Sequence, residues 1–282
     1  MVVQGMRSRK RTQRLIFQVI LTAMAFLWLI PIFMMVTVAL MPPDQRSPAL
    51  GGLVVTEPSL YYFQKVWNDN PLPLYFLNSL LITIPSVLIV VSAAALAAFG
   101  FSRLRIPGRN FWFYLLLLTL MLPIPTLIIP IMQLARAMGL YNTHLGLIFP
   151  YAALGIPFAI VILRSFFDNF PRDIEEAGYL DGCTTLGVFW RIMLPLSLPA
   201  LAVVIIWQFM ISFNEFIMAL VMINVNGLKP LPLVPLIYSG VYMAQPGAIF
   251  AILSIMTIPV VIVYLLMQRW IISGLTAGAV RG

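Results

Sequence analysis

Few residues in this chain are able to do chemistry. It carries one histidine, His144, and one cysteine, Cys183, so neither a catalytic set nor a multi-cysteine metal site can gather at one depth. Lys10, Lys65 and Lys229 all lack the Gly-x-x-x-x-Gly-Lys-Ser/Thr context of a phosphate loop. The chain is therefore expected to bind no ATP itself, and energy for any work must come from another subunit or from an ion gradient. Two groups of residues remain. Gln208, Ser212 and Glu215 fall at i, i+4 and i+7, with Asn214 alongside, inside an otherwise apolar run. A charge in such a run marks a pathway, a relay or a buried partner, and the same stripe also suits hydrogen bonds between helices. Both readings stay open. The second group is the stretch PRDIEEAGYLDGCTTLGVFWRIMLPLSLPAL from Pro171, which holds acids, small residues and prolines at wide, regular intervals.

The elements that must position these residues follow from composition. Of 282 residues 61% are hydrophobic and only 9% charged, against about 25% charged in soluble domains, and the mean hydropathy is +0.99. So much apolar surface cannot be enclosed in one aqueous core, which leaves a lipid bilayer as the solvent. Apolar runs near the roughly 20 residues needed to span, uncharged apart from Glu215, occur at 15–41, 74–101, 111–134, 145–163, 198–223 and 248–268. None alternates apolar and polar residues as barrel strands do. The expected class is all-α, a polytopic membrane protein with six transmembrane helices. The basic start is followed by an apolar run too long for a signal-peptide core, so it reads as a retained anchor. An N-terminus inside places 13 of the 17 Lys and Arg on the inner side, with only Arg46, Lys65, Arg136 and Lys229 outside. Both termini are therefore expected in the cytoplasm. The formal charge of +8 reads as topology and not as a nucleic-acid surface, because long uncharged stretches interrupt it. The expected organisation is a basic cytoplasmic N-terminus over 1–14, a transmembrane domain over 15–268 with a cytoplasmic loop at 164–195, and a cytoplasmic tail over 269–282.

In that loop, Pro171 suits a first helical position, and Asp173, Glu175 and Glu176 follow where the helix dipole favours negative charge. Ile174, Ala177 and Gly178 lie at i, i+3 and i+4 as one small apolar face. Gly182 can supply the left-handed residue that ends the helix, Thr184 or Thr185 can cap a second short helix, and Pro195 with Pro199 begins the fifth span. Elsewhere, Pro123, Pro125 and Pro130 can kink or break the third run. His144 reads as a loop residue. The connection 42–73 suits an interfacial segment, and the outer segment 224–246 is long enough to meet another protein.

This loop resembles the cytoplasmic signature of the permease subunits of binding-protein-dependent ABC importers: Glu-Ala-Ala, three residues, Gly, nine residues, Ile, one residue, Leu-Pro. Glu176, Ala177 and Gly178 are followed at those intervals by Gly182, Ile192, Leu194 and Pro195, with Asp181 beside the glycine and Gly178 replacing the second alanine. An ordinary solvated loop would use similar residues without that spacing. Asn214-Glu215-Phe216 matches a further family run. The ending, with Gly274, Leu275, Thr276 and Gly278, resembles the carbohydrate-uptake branch and its smaller, maltose-type permease.

The resemblance implies a type I ABC importer permease fold in the prokaryotic cytoplasmic membrane. It also implies a second permease as heterodimer partner, an extracytoplasmic solute-binding protein, and a cytoplasmic ATPase dimer that carries ATP and Mg and grips the loop and tail. A sugar or oligosaccharide is the expected solute, with glycerol-phosphate-like solutes as the alternative. An ion-coupled carrier using Glu215 is the competing class.

Overall fold

The computed structural model describes residues 2–43, 55, 57–240 and 244–279, with side chains described from 15 to 270 within those segments. Arg46 and Arg281, counted above for orientation, lie outside the described residues, as do the side chains of Arg7 to Arg14. Among the described residues the chain is helical apart from turns and one antiparallel bridge between Ser239 and Ala244.

In chain order the helices are α1 (Val2–Ala39), α2 (Tyr61–Asp69), α3 (Leu72–Arg103), α4 (Arg109–Thr119), α5 (Ile124–Ala137), α6 (Leu145–Asp168), α7 (Arg172–Leu180), α8 (Thr185–Val188), α9 (Leu194–Leu196), α10 (Leu198–Asn214), α11 (Ile217–Met222) and α12 (Pro246–Ala279). A π turn, Phe189–Met193, joins α8 to α9. Among the described residues, four helical stretches are long and apolar enough to cross a bilayer: Leu15–Ala39, Leu72–Arg103, Leu145–Asp168 and Pro246–Trp270. Two bent pairs raise the number to six if each pair is one span.

Two of the six runs are broken, the third at the prolines expected to kink or break it and the fifth after Asn214. The run 111–134 is two helices, α4 and α5, set at 98°. The break falls where Pro123 sits extended at the N-cap of α5 and Pro125 enters its first turn, since a proline cannot donate to the preceding turn and forces the residue before it out of the helical region. The run 198–223 ends its first helix at Asn214, and α11 restarts at Ile217. A second bend, of 73°, separates the Thr185–Leu196 stretch from α10.

Two compact units can be distinguished, residues 71–234 with 256–282 and residues 1–70 with 235–255. The first is built on α3 lying along α6. Ala94, Ala95 and Ala98 of α3 and Ala152 and Ala159 of α6 are buried together. Small side chains let two backbones approach closely, which matters in lipid because no hydrophobic force separates apolar side chains from apolar tails. At the inner end Phe99, Phe167 and Phe189 close this core. In the second unit, Asn70 at the end of α2 donates to the Val66 carbonyl and to Tyr238 Oη, at 2.6 Å for the latter. Gly247 admits the Tyr62 ring, because a Cβ there would stand 2.2 Å from Tyr62 Cε2. Residues 15–33 of α1 present an exposed apolar surface.

Candidate functional site: a helical hook and a polar break

Local chemistry shapes the hook. α7 starts after Pro171, which takes the N-cap place one residue before the first helical position expected for it, and Asp173 and Glu175 fall in the first turn. At the other end, Gly182 adopts φ +82°, and Cys183 N returns to the Gly178 carbonyl at 3.0 Å while Gly182 N returns to Tyr179 O. A left-handed glycine that lets the next amides turn back onto the last carbonyls is a common helix stop. Of the two threonines able to cap the next leg, it is Thr184 that does so, its Oγ1 accepting from Gly187 N at 3.1 Å. Pro195 and Pro199 cannot donate to the turns before them. The ladder accordingly loosens into the π turn and bends at Ser197, which is buried and donates to the Leu194 carbonyl.

An ion pair then fixes the hook to the bundle. Arg103, the last residue of α3, sets Nε 2.7 Å and 2.8 Å from the two oxygens of Glu175 and Nη2 2.5 Å from Oε1. Its remaining donors reach Ser102 Oγ and the Phe167 carbonyl at the end of α6. Ser102 in turn donates to Asp168 at 2.6 Å. The pair is nearly closed to solvent, with side chains 11% and 8% exposed. Bidentate geometry of this kind gives orientation as well as energy, so α3, α6 and α7 are held in one relation. Neither residue is part of the signature described above. Their only sequence signals are a basic end to a span and an acid in a first turn, 72 residues apart, and nothing in the periodicity joins them.

The signature residues divide into two sets. Glu176, Ala177, Asp181, Gly182 and Pro195 are exposed, whereas Gly178 is buried and Ile192 and Leu194 are half-buried. The single apolar face expected of Ile174, Ala177 and Gly178 is split, because Gly178 points inward onto Val188 and Ile192 while the other two face out. A Cβ at 178 would come within 2.4 Å of Ile192 Cδ1, so glycine in place of alanine is matched to the seat of that isoleucine. The outward surface also carries Leu180, 89% exposed, with Tyr179 and Leu186. Apolar side chains displayed on a rigid polar hook are the composition of a surface that another protein covers.

The polar stripe converges on Tyr151 of α6, about 25 Å along that helix from Asp168, and is thus separate from the hook. Gln208 Nε2 donates to the Tyr151 carbonyl at 3.1 Å and to Ser212 Oγ at 2.9 Å. Tyr151 Oη donates to Glu215 at 2.7 Å. Glu215 is not inside a helix, as the continuous run had suggested. It stands extended at the end of α10, and its oxygens accept from Met218 N at 2.8 Å and Ala219 N at 3.0 Å, capping α11. Asn214 is outside this cluster. It is exposed and donates to Met210 O of its own helix.

Gly155 lets this packing form. A Cβ there would lie 2.0 Å from Gln208 Oε1 and 2.7 Å from Cδ, and Gln208 is tethered by the two bonds above. Gly155→Ala is expected to displace the amide and lower stability by about 1–3 kcal/mol, read as a lower unfolding midpoint in detergent. An unchanged midpoint would show the amide free to move aside.

Part of the outer segment is tied down as well. Asn78 donates to the carbonyls of Gly227 and Lys229, Leu231 N donates to Ser79 Oγ, and Asn224 N donates to Asn142 Oδ1. The backbone of the tail continues α12 through Gly274, Leu275, Thr276 and Gly278, whose side chains lie outside the described residues. No cluster of His, Cys, Asp and Glu able to hold a metal occurs among the described residues.

Comparison with known proteins agrees with this architecture. Residues 91–276 match the family model described as binding-protein-dependent transport system inner membrane component. The chain is 38% identical over 220 residues to the probable ABC transporter permease protein YurM of Bacillus subtilis, covering 78% of this chain and 73% of that one. It is 35% identical over 264 residues to the trehalose/maltose transport system permease protein MalG of Thermococcus litoralis, covering 92% and 94%. In fold it is similar to a chain in the crystal structure of a bacterial ABC transporter involved in the import of the acidic polysaccharide alginate, with a TM-score of 0.76, 22% identity and coverage of 92% and 96%. Helices broken by proline, a hook held at the inner end of α3 and a match across the body of the chain lead to one conclusion: this multi-pass membrane protein belongs to the binding-protein-dependent transport system inner membrane component family, the permeases of ABC importers.

Proposed function

We propose that this permease pairs with a second, different permease to form the path for a sugar or oligosaccharide. In this reading an extracytoplasmic binding protein delivers the solute, and a cytoplasmic ATPase dimer, which carries the ATP and Mg, drives the cycle. The trehalose/maltose relative and the resemblance of the tail support the solute class. The pinned hook carries the coupling role. Because Arg103 clamps Glu175 while Glu176, Ala177, Asp181 and Gly182 stay exposed, a push on the outward face of α7 is passed to the inner ends of α3 and α6 and not absorbed by a loose loop. Half-buried Ile192 and Leu194 with Pro195 carry the same push to the bend that opens α10. Gly274, Leu275, Thr276 and Gly278 are assigned a further contact with the ATPase.

Of the polar residues, Gln208, Ser212 and Glu215 serve to register α10 and α11 on α6 through the Gln208 Nε2, Ser212 Oγ and Glu215 bonds, while Gln208 Oε1 is buried with no partner. Asn214, bonded only to its own helix, is the one left to meet a solute. Closure of the ATPase on ATP then swings the pair of permeases outward to accept the solute, and hydrolysis resets them. The test is a cysteine at Ala177 in the assembled transporter. A short bifunctional reagent is expected to join it to the ATPase subunit in good yield, with a yield that changes when ATP is added. Failure of any such product in an intact complex would remove the coupling role.

A further inference from the structure

Beside the hook, between the α3–α4 turn and α7, lies a cavity of about 820 Å³. Arg105 and Arg109 flank the turn made by Pro107 and Gly108, the latter at φ +67°, and both line the cavity together with Arg172 from the start of α7. Arg103 also lines it but is neutralised by Glu175. The other three guanidiniums are exposed and have no ion-pair or hydrogen-bond partner among the described residues. Only Glu176 offsets them, so the cavity keeps a positive excess. Phe111 lines one edge of it, and beyond that edge Phe111, Trp112 and Tyr114 are exposed on the first turns of α4, 64%, 52% and 63% respectively. Aromatic rings of this kind belong at headgroup level. The charge count places this end of α3 and α4 on the inner side, where the leaflet is anionic.

We propose that this cavity binds the phosphate of an anionic inner-leaflet phospholipid, with Arg105, Arg109 and Arg172 around the headgroup and the acyl chains laid along Phe111 and Trp112. A phosphate group is the shared chemistry, and the lipid is favoured as its source because the charged wall and the exposed aromatic surface are continuous. The binding uses the inner-side assignment and is independent of the coupling role. Its position against Glu176 and α7 nonetheless puts the lipid next to the surface that the ATPase is proposed to grip.

The test uses the complete transporter taken up in mixed phosphatidylcholine and phosphatidylglycerol, purified, and assayed for retained lipid by native mass spectrometry. The wild type is expected to retain phosphatidylglycerol in preference to phosphatidylcholine, and less of it as salt is raised. Each of Arg105→Gln, Arg109→Gln and Arg172→Gln is expected to weaken retention about fivefold, and the triple variant by roughly two orders of magnitude. The corresponding triple lysine variant, which keeps the charge, should retain most of the lipid and guards against loss by misfolding. Equal retention of phosphatidylglycerol by wild type and glutamine variants would overturn the proposal. So would displacement of the lipid by inorganic phosphate but not by chloride at matched ionic strength, which would make this a free-oxyanion site. A photoreactive side chain at Asn110 that captures the ATPase subunit in place of lipid would assign the arginines to a protein interface and also end the proposal.

Discussion

Glu175→Ala is expected to unseat the hook, lowering uptake in vesicles by about tenfold or more while the partner ATPase continues to hydrolyse ATP. The variant leaves the Arg103 guanidinium almost closed to solvent with no counter-charge, and breaking a buried pair from one side costs about 3–5 kcal/mol, since the surviving charge is stranded. Each 1.4 kcal/mol is a factor of ten in an equilibrium, so even a fraction of that cost depopulates the clamped arrangement. The guanidinium also serves the Phe167 carbonyl and Ser102, and relaxing it toward water disturbs the end of α6 as well. Replacing both partners by apolar residues of similar length, Arg103→Met with Glu175→Leu, removes the stranded charge and is expected to recover much of the assembly but not all of the coupling, because the bidentate orientation is gone. Assays at matched membrane abundance decide the matter. Wild-type uptake by Glu175→Ala would mean that the hook needs no clamp.

The second large effect is expected from Gly182→Arg, with a different physical signature. Nothing lies within 4 Å of a Cβ built at this position, so the substitution meets no steric wall. What it costs within the protein is the left-handed backbone at φ +82°, about 1–2 kcal/mol for a residue with a side chain. The permease should therefore insert and assemble. The long cation it adds stands on the exposed surface beside Ala177 and Asp181, where the ATPase is proposed to approach closely. Hydrolysis without uptake is the expected outcome, measured as ATP consumed per solute imported, and Gly182→Ala, which carries the backbone cost without the bulk, should be milder. Normal stoichiometry in Gly182→Arg would show that nothing docks there.

How much was legible beforehand depended on the range of the interaction. Gly182 as a helix stop and a threonine cap for the next leg are decided within a few residues; Gly182 stands where spacing placed it, and of Thr184 and Thr185, both open beforehand, Thr184 is the cap. The spans were legible because lipid demands long apolar stretches whatever else they do. The breaks were not all so. Three prolines pointed to an interruption between α4 and α5, but the gap after Asn214 was marked only by the polar Asn214 and Glu215, which suit an unbroken helix with a polar stripe equally well, and the bonds of Glu215 to Tyr151, Met218 N and Ala219 N are visible only in the folded chain. Arg103 with Glu175 was out of reach for the same reason: each is ordinary alone, and the pairing exists only after α3, α6 and α7 have come together.

The interruption at Glu215 has one more consequence. A helix cut in the middle of a bilayer normally bares amide groups to hydrocarbon, an exposure that resists bending there. Here the carboxylate has already taken two free amides of the second segment, those of Met218 and Ala219, and Asn214 returns its side-chain amide to the Met210 carbonyl of the first. The junction therefore bares less polar backbone to oil than an uncapped break would, so the fifth crossing can change direction here while staying tied to α6 through Tyr151.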